Sequence, residues 1–257
     1  SCLIIGVTEP RKLTESANIL DKVSKKYISN LIRKDSFSGK IEQSLLIHSV
    51  PGCVAERVLL IGCGKEKSID GIHYRSIVGN AINAVQQHNI HEVVNYLPEL
   101  NVKGRDLQWK IRQTVEIASH RLYEFSEFKT NKNKERKYLE KMVLTVPSRR
   151  ELAECEVAMA NGKAIATGVK LTRDLANRPA NVCTPTHLAE QAKKLEKEKK
   201  VLKVKVLDEA AMEKLGMNSL LSVAQGAVEP AKLITIEYKG ATKDAKPYVL
   251  VGKGVTF

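Results

Sequence analysis

Short apolar runs alternate with longer stretches in which apolar residues lie three and four positions apart. Runs of about four to eight apolar residues bounded by Gly or Pro are typical of buried strands, and the longer spacing indicates amphipathic helices. In the first half, the pattern predicts strands at 3–7, 43–50, 57–64, 92–97 and 141–146, and helices at 13–34, 70–88 and 107–125. This alternation of strands and helices predicts an α/β layer fold.

The clearest domain boundary is the pair Pro147 and Ser148. Ser148 with Glu151 three residues later has the pattern of a capping box, and apolar residues then keep helical spacing to residue 176. A helix of about 26 residues spans roughly 39 Å, which is long enough to connect two domains. We therefore expect an α/β domain over 1–148, a connecting helix over 149–176 and a second α/β domain over 177–257.

The last part of the chain begins a second strand–helix pattern. Thr184 or Thr186 caps a predicted helix, and further elements are predicted at 203–207 (strand), 208–215 (helix), 232–238 (strand) and 247–252 (strand). So few strands do not make a complete α/β sheet. We therefore expect this chain to be a portion of a longer protein.

Composition excludes several classes of protein. Hydrophobic residues make up 43 % and charged residues 28 %, the usual balance of a globular protein. No run of about 18 apolar residues predicts a membrane-spanning helix, and the N-terminus lacks the features of a signal peptide. The five cysteines are widely spaced without a Cys-x-x-Cys pair, which argues against a disulfide framework or a zinc knuckle. We expect a cytoplasmic protein without a membrane partner.

Much of the net charge of +13 lies in a basic segment, residues 129–137. Its residues Lys132, Lys134, Arg136 and Lys137 could contact nucleic acid through phosphates, with release of counterions. Asn and Lys dominate the segment and no aromatic residue interleaves, which is typical of an exposed, mobile loop. Both interpretations, loop and nucleic-acid contact, stay open.

Two glycine loops follow predicted strands, at 62–65 and 252–254, and neither matches a known phosphate-binding motif. The first is either a tight strand-to-helix turn or a cradle of backbone amides for a phosphate. The second places Lys253 between two glycines at the tip of a strand, at the sheet edge where ligand sites of α/β proteins gather. Taken alone, Lys253 is either a surface or phosphate-facing residue or part of such a ligand site.

From about residue 150 onward, the chain resembles the leucyl (cytosol) aminopeptidase family of two-metal exopeptidases. The motifs that carry the resemblance are LTRDLANRPANVCTP at 171–185, SVAQG at 222–226, the strand 233–238 with Gly240, and VGKGVTF at 251–257. Residues 1–150 resemble the family's N-terminal domain, which is related to macro domains, only in overall pattern. The resemblance implies a macro-like α/β domain, a connecting helix and the beginning of an α/β metallopeptidase catalytic domain.

The resemblance also implies the chemistry. In the family, the lysine at the position of Lys253 is a metal ligand, and a lysine amine binds metal only when it is deprotonated. The implied cofactors are two divalent ions, Mn²⁺ or Zn²⁺, and a bicarbonate base. The other ligands and the catalytic residues are implied to lie beyond Phe257, so the 257 residues alone should be inactive. The implied partners are peptide substrates, with Leu preferred at the N-terminus, and five further copies in a hexamer built as a dimer of trimers.

Three functions stay open at this stage. The first is a leucyl aminopeptidase, of which this chain is the N-terminal half. The second is nucleic-acid or nucleotide binding by a basic, macro-like domain, alone or as a second role. The third is an inactive subunit that keeps only the interfaces of an assembly. The sequence after Phe257 would distinguish them, because the enzyme needs aspartates and a glutamate there.

Overall fold

The computed structural model describes residues 1–130, 139–242 and 244–256. The chain divides into two compact units, Ser1–Lys170 and Leu171–Phe257, and each unit has its own sheet. Strands and helices alternate in both units, which confirms the α/β class expected from the sequence. None of the helices in the described residues has the length and apolar character needed to cross a membrane.

A six-stranded sheet forms the centre of the N-terminal unit. Its strands are β1 Cys2–Glu9, β2 Lys12–Leu13, β3 Ser44–His48, β4 Arg57–Lys65, β5 Glu92–Asn95 and β6 Lys141–Leu144. They lie in the order β3-β4-β1-β5-β6, with β2 paired to β1. The four strands β4, β1, β5 and β6 are parallel, and β2 and β3 pair antiparallel with their neighbours. Strands β1 and β4 are buried almost throughout, as expected for parallel strands covered on both faces.

Helices cover both faces of this sheet. They are α1 Glu15–Val23, α2 Tyr27–Lys34, α3 Gly71–Gln87, α4 Leu107–Arg121 and α5 Leu152–Asn177. On one face, Ile28 of α2 and Leu60 of β4 belong to one buried cluster. On the other face, Ile77 of α3 and Ile61 of β4 belong to a second cluster. Because successive strand residues point to opposite faces, the continuous apolar runs of β1 and β4 supply both clusters.

The helix predicted over 13–34 is two helices in the structure. They are separated by a tight turn in which Lys25 and Lys26 have φ angles of 54° and 63°. The carboxylate of Asp21, in α1, accepts hydrogen bonds from the backbone N–H and the hydroxyl of Ser29, in α2. These bonds stabilise a left-handed turn at two lysines. Lysine rarely adopts that conformation, so the sequence does not predict the turn.

The long helix α5 confirms the helix expected from the sequence after Pro147, and a 3₁₀ turn at Arg149–Glu151 precedes it. The Ser148 hydroxyl donates to the Glu151 carboxylate over 3.1 Å and accepts no capping hydrogen bond from a backbone N–H, so the predicted capping box does not form. The buried residues of α5 include Gly162. A Cβ atom there would lie 2.9 Å from the backbone oxygen of Arg112 in α4, so this glycine allows the two helices to approach closely.

The C-terminal unit contains three helices and a two-stranded antiparallel sheet in its described residues. The elements are α6 Pro185–Glu198, β7 Leu202–Leu207, α7 Glu209–Lys214, α8 Asn218–Ala224 and β8 Leu233–Tyr238. Thr184 caps α6 by accepting from the backbone N–H of His187 over 3.2 Å, which decides between the two predicted caps. The short helix α8 has no counterpart in the predicted elements.

The strand predicted over 247–252 does not form in the described chain. Tyr248, Leu250 and Val251 are 100 %, 97 % and 94 % exposed. An apolar run becomes a strand only when a neighbouring strand accepts its backbone hydrogen bonds. The described strands β7 and β8 pair with each other and not with this segment. The prediction was therefore wrong for this structure.

Candidate functional site

Lys253 lies in an irregular, exposed segment of the C-terminal unit. A Cβ atom built at Gly252 or at Gly254 would meet none of the described atoms within 4 Å. No described neighbour therefore lies close enough to require glycine at either position. The expectation that Lys253 lies at the carboxyl end of a sheet strand was wrong, for the same reason that the strand itself is missing.

The residues around Lys253 do not by themselves make a metal site. The described residues contain no group of three or more His, Cys, Asp or Glu side chains placed to hold a metal ion. A divalent ion such as Zn²⁺ or Mn²⁺ needs four or more ligands, and one amine nitrogen cannot supply them. The described residues therefore do not by themselves provide the ligands of a catalytic metal ion.

The exposed apolar segment 248–251 leads to a prediction about self-association. It is an uncharged run of residues with high strand propensity, and such runs associate when no strand covers them. We expect the 257-residue chain to form oligomers that increase with concentration, and Leu250→Lys to shift them toward monomer. The measurement is light scattering after size-exclusion chromatography over a concentration series.

The control for this prediction is Val228→Lys. Val228 is also fully exposed, at 101 %, but lies outside the apolar segment. The substitution Val228→Lys should leave the distribution of oligomers unchanged. A wild-type chain that stays monomeric at every concentration would contradict the prediction, and so would equal effects of the two substitutions.

The motif at 171–185 forms the junction between two helices. Helix α5 ends at Asn177, and the backbone N–H groups of Val182 and Cys183 both donate to the carbonyl of Pro179 over 2.9 Å. A guanidinium nitrogen of Arg178 lies 2.8 Å from Nε2 of His187 in α6. The motif therefore shapes a tight turn, and the Arg178–His187 contact was not predicted. The sequence signal that could have predicted this contact is the spacing of nine residues between Arg178 and His187, across a turn that contains proline and a helix cap.

The glycine loop predicted at 62–65 is the end of strand β4. The backbone N–H of Gly62 donates to the carbonyl of Gln43 over 2.9 Å, and that of Gly64 donates to the carbonyl of Gly39 over 2.7 Å. Both amides are thus bonded within the chain and cannot form a phosphate cradle. A Cβ atom at Gly62 would lie 1.8 Å from the Lys40 backbone oxygen, so glycine is needed here for the approach of the 39–43 segment.

The nucleic-acid residues predicted from the sequence, Lys132, Lys134, Arg136 and Lys137, lie outside the described residues. At the start of the basic segment, the ammonium group of Lys129 pairs with Glu124 over 3.3 Å. The pair is partly exposed, so it contributes little to stability.

The five cysteines are free, and three of them, Cys2, Cys63 and Cys155, are buried. This agrees with the interpretation of isolated cysteines as small apolar residues. Burial raises the pKa of the Cys2 thiol to about 11 and that of the Cys63 thiol to about 12. Both thiols are therefore protonated at neutral pH and are poor nucleophiles.

Comparison with known proteins places both units in one family. The model for the N-terminal domain of the cytosol aminopeptidase family matches residues 4–132, and the model for the catalytic domain of that family matches 170–257. Probable cytosol aminopeptidases of Thioalkalivibrio sulfidiphilus and Aeromonas salmonicida are each 49 % identical over all of this chain. The chain covers 52 % and 51 % of these two proteins, so it spans about half the length of the curated relatives it matches.

Solved structures have the same fold. A mutant of tomato leucine aminopeptidase matches with a TM-score of 0.77 and 25 % identity, over 96 % of this chain and 49 % of that one. The bottromycin maturation enzyme BotP in complex with Mn matches with a TM-score of 0.70 and 22 % identity, over 91 % of this chain and 44 % of that one. At 22 % identity, the second match shows the fold alone.

The chain has two α/β units, and the second carries the motifs of a catalytic domain. This order defines a protein that contains the N-terminal domain of an aminopeptidase followed by part of the catalytic domain. The chain belongs to the cytosol aminopeptidase family. The resemblance that the motifs at 171–185, 222–226 and 251–257 carry is thereby confirmed.

Proposed function

We propose that the complete protein is an aminopeptidase that removes the N-terminal residue of peptides, with a preference for leucine. The observation that carries this proposal is the match of both family domains, in order, along a chain that is 49 % identical to probable cytosol aminopeptidases. Because the chain spans about half of those relatives, the activity is proposed for the complete protein. The 257 residues alone are proposed to be inactive.

The proposed cofactors are two divalent metal ions, Mn²⁺ or Zn²⁺, with a bicarbonate base. Lys253 is proposed as one metal ligand, on the strength of the motif VGKGVTF at 251–257. Its exposed position leaves the amine accessible to residues outside this chain, which would have to supply the other ligands.

The experiment compares the complete protein with the 257-residue chain. Both are assayed for hydrolysis of leucine, alanine and arginine anilides, with Mn²⁺ and with Zn²⁺. We expect turnover only by the complete protein, fastest on the leucine anilide. Circular dichroism checks that the shorter chain is folded. A folded complete protein that cleaves none of the three anilides with either metal would overturn the proposal.

We also propose that the complete protein assembles as a hexamer, a dimer of trimers, in the cytoplasm. The support is the membership of the cytosol aminopeptidase family, whose relatives are named for the cytosol. Light scattering of the complete protein should give six times the monomer mass. A monomer or dimer at micromolar concentration would contradict this assembly.

A further inference from the structure

The N-terminal unit contains a cavity of about 410 Å³, far along the chain from Lys253. Cavities that bind small molecules measure about 300–1,000 Å³. Its wall includes the carboxyl ends of two adjacent parallel strands, at Glu9 of β1 and Lys65 of β4, which pair with each other after a shift of register that follows Val7. The rest of the wall comes from the segment 40–42, from residues 63–64 of β4, and from Ser68, Ile69 and His73.

The cavity lies where the connections of the sheet diverge. Strand β1 leads to α1 and α2, whose core includes Ile28, on one face. Strand β4 leads to α3, whose core includes Ile77, on the other face. Two neighbouring parallel strands with connections on opposite faces leave a crevice at their carboxyl ends, and ligands of open α/β sheets bind in such crevices.

Apolar groups line part of the cavity. Ile69 and Cys63 are buried, and Ile41 is half-buried. Gly64 has a φ angle of 71°, and a Cβ atom there would lie 2.9 Å from the Ile41 side chain. The glycine therefore allows Ile41 to lie against the end of β4. Because Cys63 and Ile69 are almost fully buried, Ile41 supplies most of the accessible apolar surface beside the charged residues of the cavity.

The charged groups come in both signs. The residues that line the cavity include two lysines, Lys40 and Lys65, and two glutamates, Glu9 and Glu42. In the part of the chain that the structure describes, none of the four is in an ion pair; Glu66, next to Lys65, pairs instead with Lys12. The two charges of each sign cancel, so the site favours neither a simple anion nor a simple cation.

His73 is held in place at the same wall. Its Nδ1 atom lies 2.8 Å from the Asp70 carboxylate, which also accepts from the backbone N–H groups of Ile72 and His73. These hydrogen bonds lower the pKa of Asp70, and the bond from the backbone N–H of His73 has the largest effect. The Asp70 carboxylate is therefore charged at neutral pH. Because Nδ1 is engaged, Nε2 is the ring nitrogen left for a ligand.

We propose that this cavity binds a small zwitterion with an apolar side chain, a free amino acid or a dipeptide. Its carboxylate would meet Lys40 and Lys65, its ammonium group would meet Glu9 and Glu42, and its side chain would cover the apolar surface. Such molecules are the products and substrates of the aminopeptidase proposed above. That link rests on the proposed function, but the binding itself does not.

The test is calorimetric titration of the 257-residue chain with leucine, leucylglycine, N-acetylleucine and leucinamide. The last two each lack one charge of the zwitterion. We expect leucine or leucylglycine to bind. A comparison of the affinities of these two ligands shows which of them the cavity prefers. Removing either charge should weaken binding about tenfold, the cost of one hydrogen bond to a charged group. Amide NMR shifts should be largest at Gly64, Ser68 and His73.

Two pairs of variants identify the charges. Lys65→Met and Glu9→Gln should each weaken leucine binding about tenfold. Lys67→Met and Glu92→Gln change exposed residues outside the cavity wall and should leave the affinity unchanged. No binding by leucine or leucylglycine would overturn the proposal, and so would equal affinity for N-acetylleucine. The assay uses no peptidase activity, so its failure is independent of any failure of the proposed function.

Discussion

Gly62→Ala is expected to destabilise the N-terminal unit by at least about 3 kcal/mol, the range of severe overpacking in a core. The added Cβ atom would lie 1.8 Å from the backbone oxygen and 2.7 Å from the backbone carbon of Lys40. These are main-chain atoms, so no side-chain rotation relieves the clash. Strand β4 is central in the sheet and cannot shift without losing its pairing to β1 and β3.

The opposing segment is also held in place. Oε1 of Gln43 accepts hydrogen bonds from the backbone N–H groups of Ser38, Gly39 and Lys40, at 2.8, 3.0 and 3.2 Å. Moving the segment away from β4 would break these bonds together with the bond between the Gly62 N–H and the Gln43 carbonyl. The structure therefore cannot accommodate the methyl group from either side.

The matched control is Gly168→Ala. Gly168 lies in α5, is exposed, and a Cβ atom there would meet none of the described atoms within 4 Å. Alanine is the better helix former by about 1 kcal/mol, so this variant should be more stable than the wild type. Urea unfolding followed by the fluorescence of Trp109, the single tryptophan, reports on the N-terminal unit. Equal midpoints for the two variants would refute the argument from the Cβ positions.

Lys253→Ala in the complete protein is expected to lower the turnover of leucine anilide at least about 100-fold, and to lower the metal content. Replacing even a residue that supports a metal ligand costs about 10–100-fold, and Lys253 is proposed as a ligand itself. The measurements are anilide hydrolysis and metal analysis after dialysis. Circular dichroism should show an unchanged fold, because Lys253 is exposed and packs against nothing described.

Lys246→Ala is the control for this prediction. Lys246 is an exposed lysine in the same irregular segment and lies outside the VGKGVTF motif. The substitution Lys246→Ala removes the same positive charge from the same region as Lys253→Ala. A general electrostatic effect on turnover would therefore appear in both variants. Unchanged turnover and metal content in Lys253→Ala would show that the role carried over from the family is wrong at this residue.

Local patterns predicted most of the secondary structure. The continuous apolar run at 57–64, the capping residue Thr184 and the helical spacing after Pro147 each act within a few residues of the element they predict. Capping and periodicity depend on the nearest turn of the chain, so they can be recognised without knowing the fold. The family could be recognised for a related reason, since its motifs are contiguous stretches such as 171–185.

Other features depend on residues that are far apart in the sequence. The cavity wall joins Glu9, the segment 40–42 and His73, which only the crossing of the chain over the sheet brings together. The need for glycine at position 62 depends on Lys40, 22 positions earlier in the numbering. A turn between α1 and α2 that holds two lysines in the left-handed region depends on the bonds between Asp21 and Ser29.

The segment 247–252 shows the physical reason most directly. Its composition is that of a strand, and the local pattern cannot distinguish a paired strand from an exposed one. A strand satisfies its backbone hydrogen bonds only through a neighbour, and helices satisfy theirs internally. The sequence therefore determined most of the helices and the family, whereas the break between α1 and α2, strand pairing, close backbone contacts and the shape of the cavity were decided by contacts between distant segments.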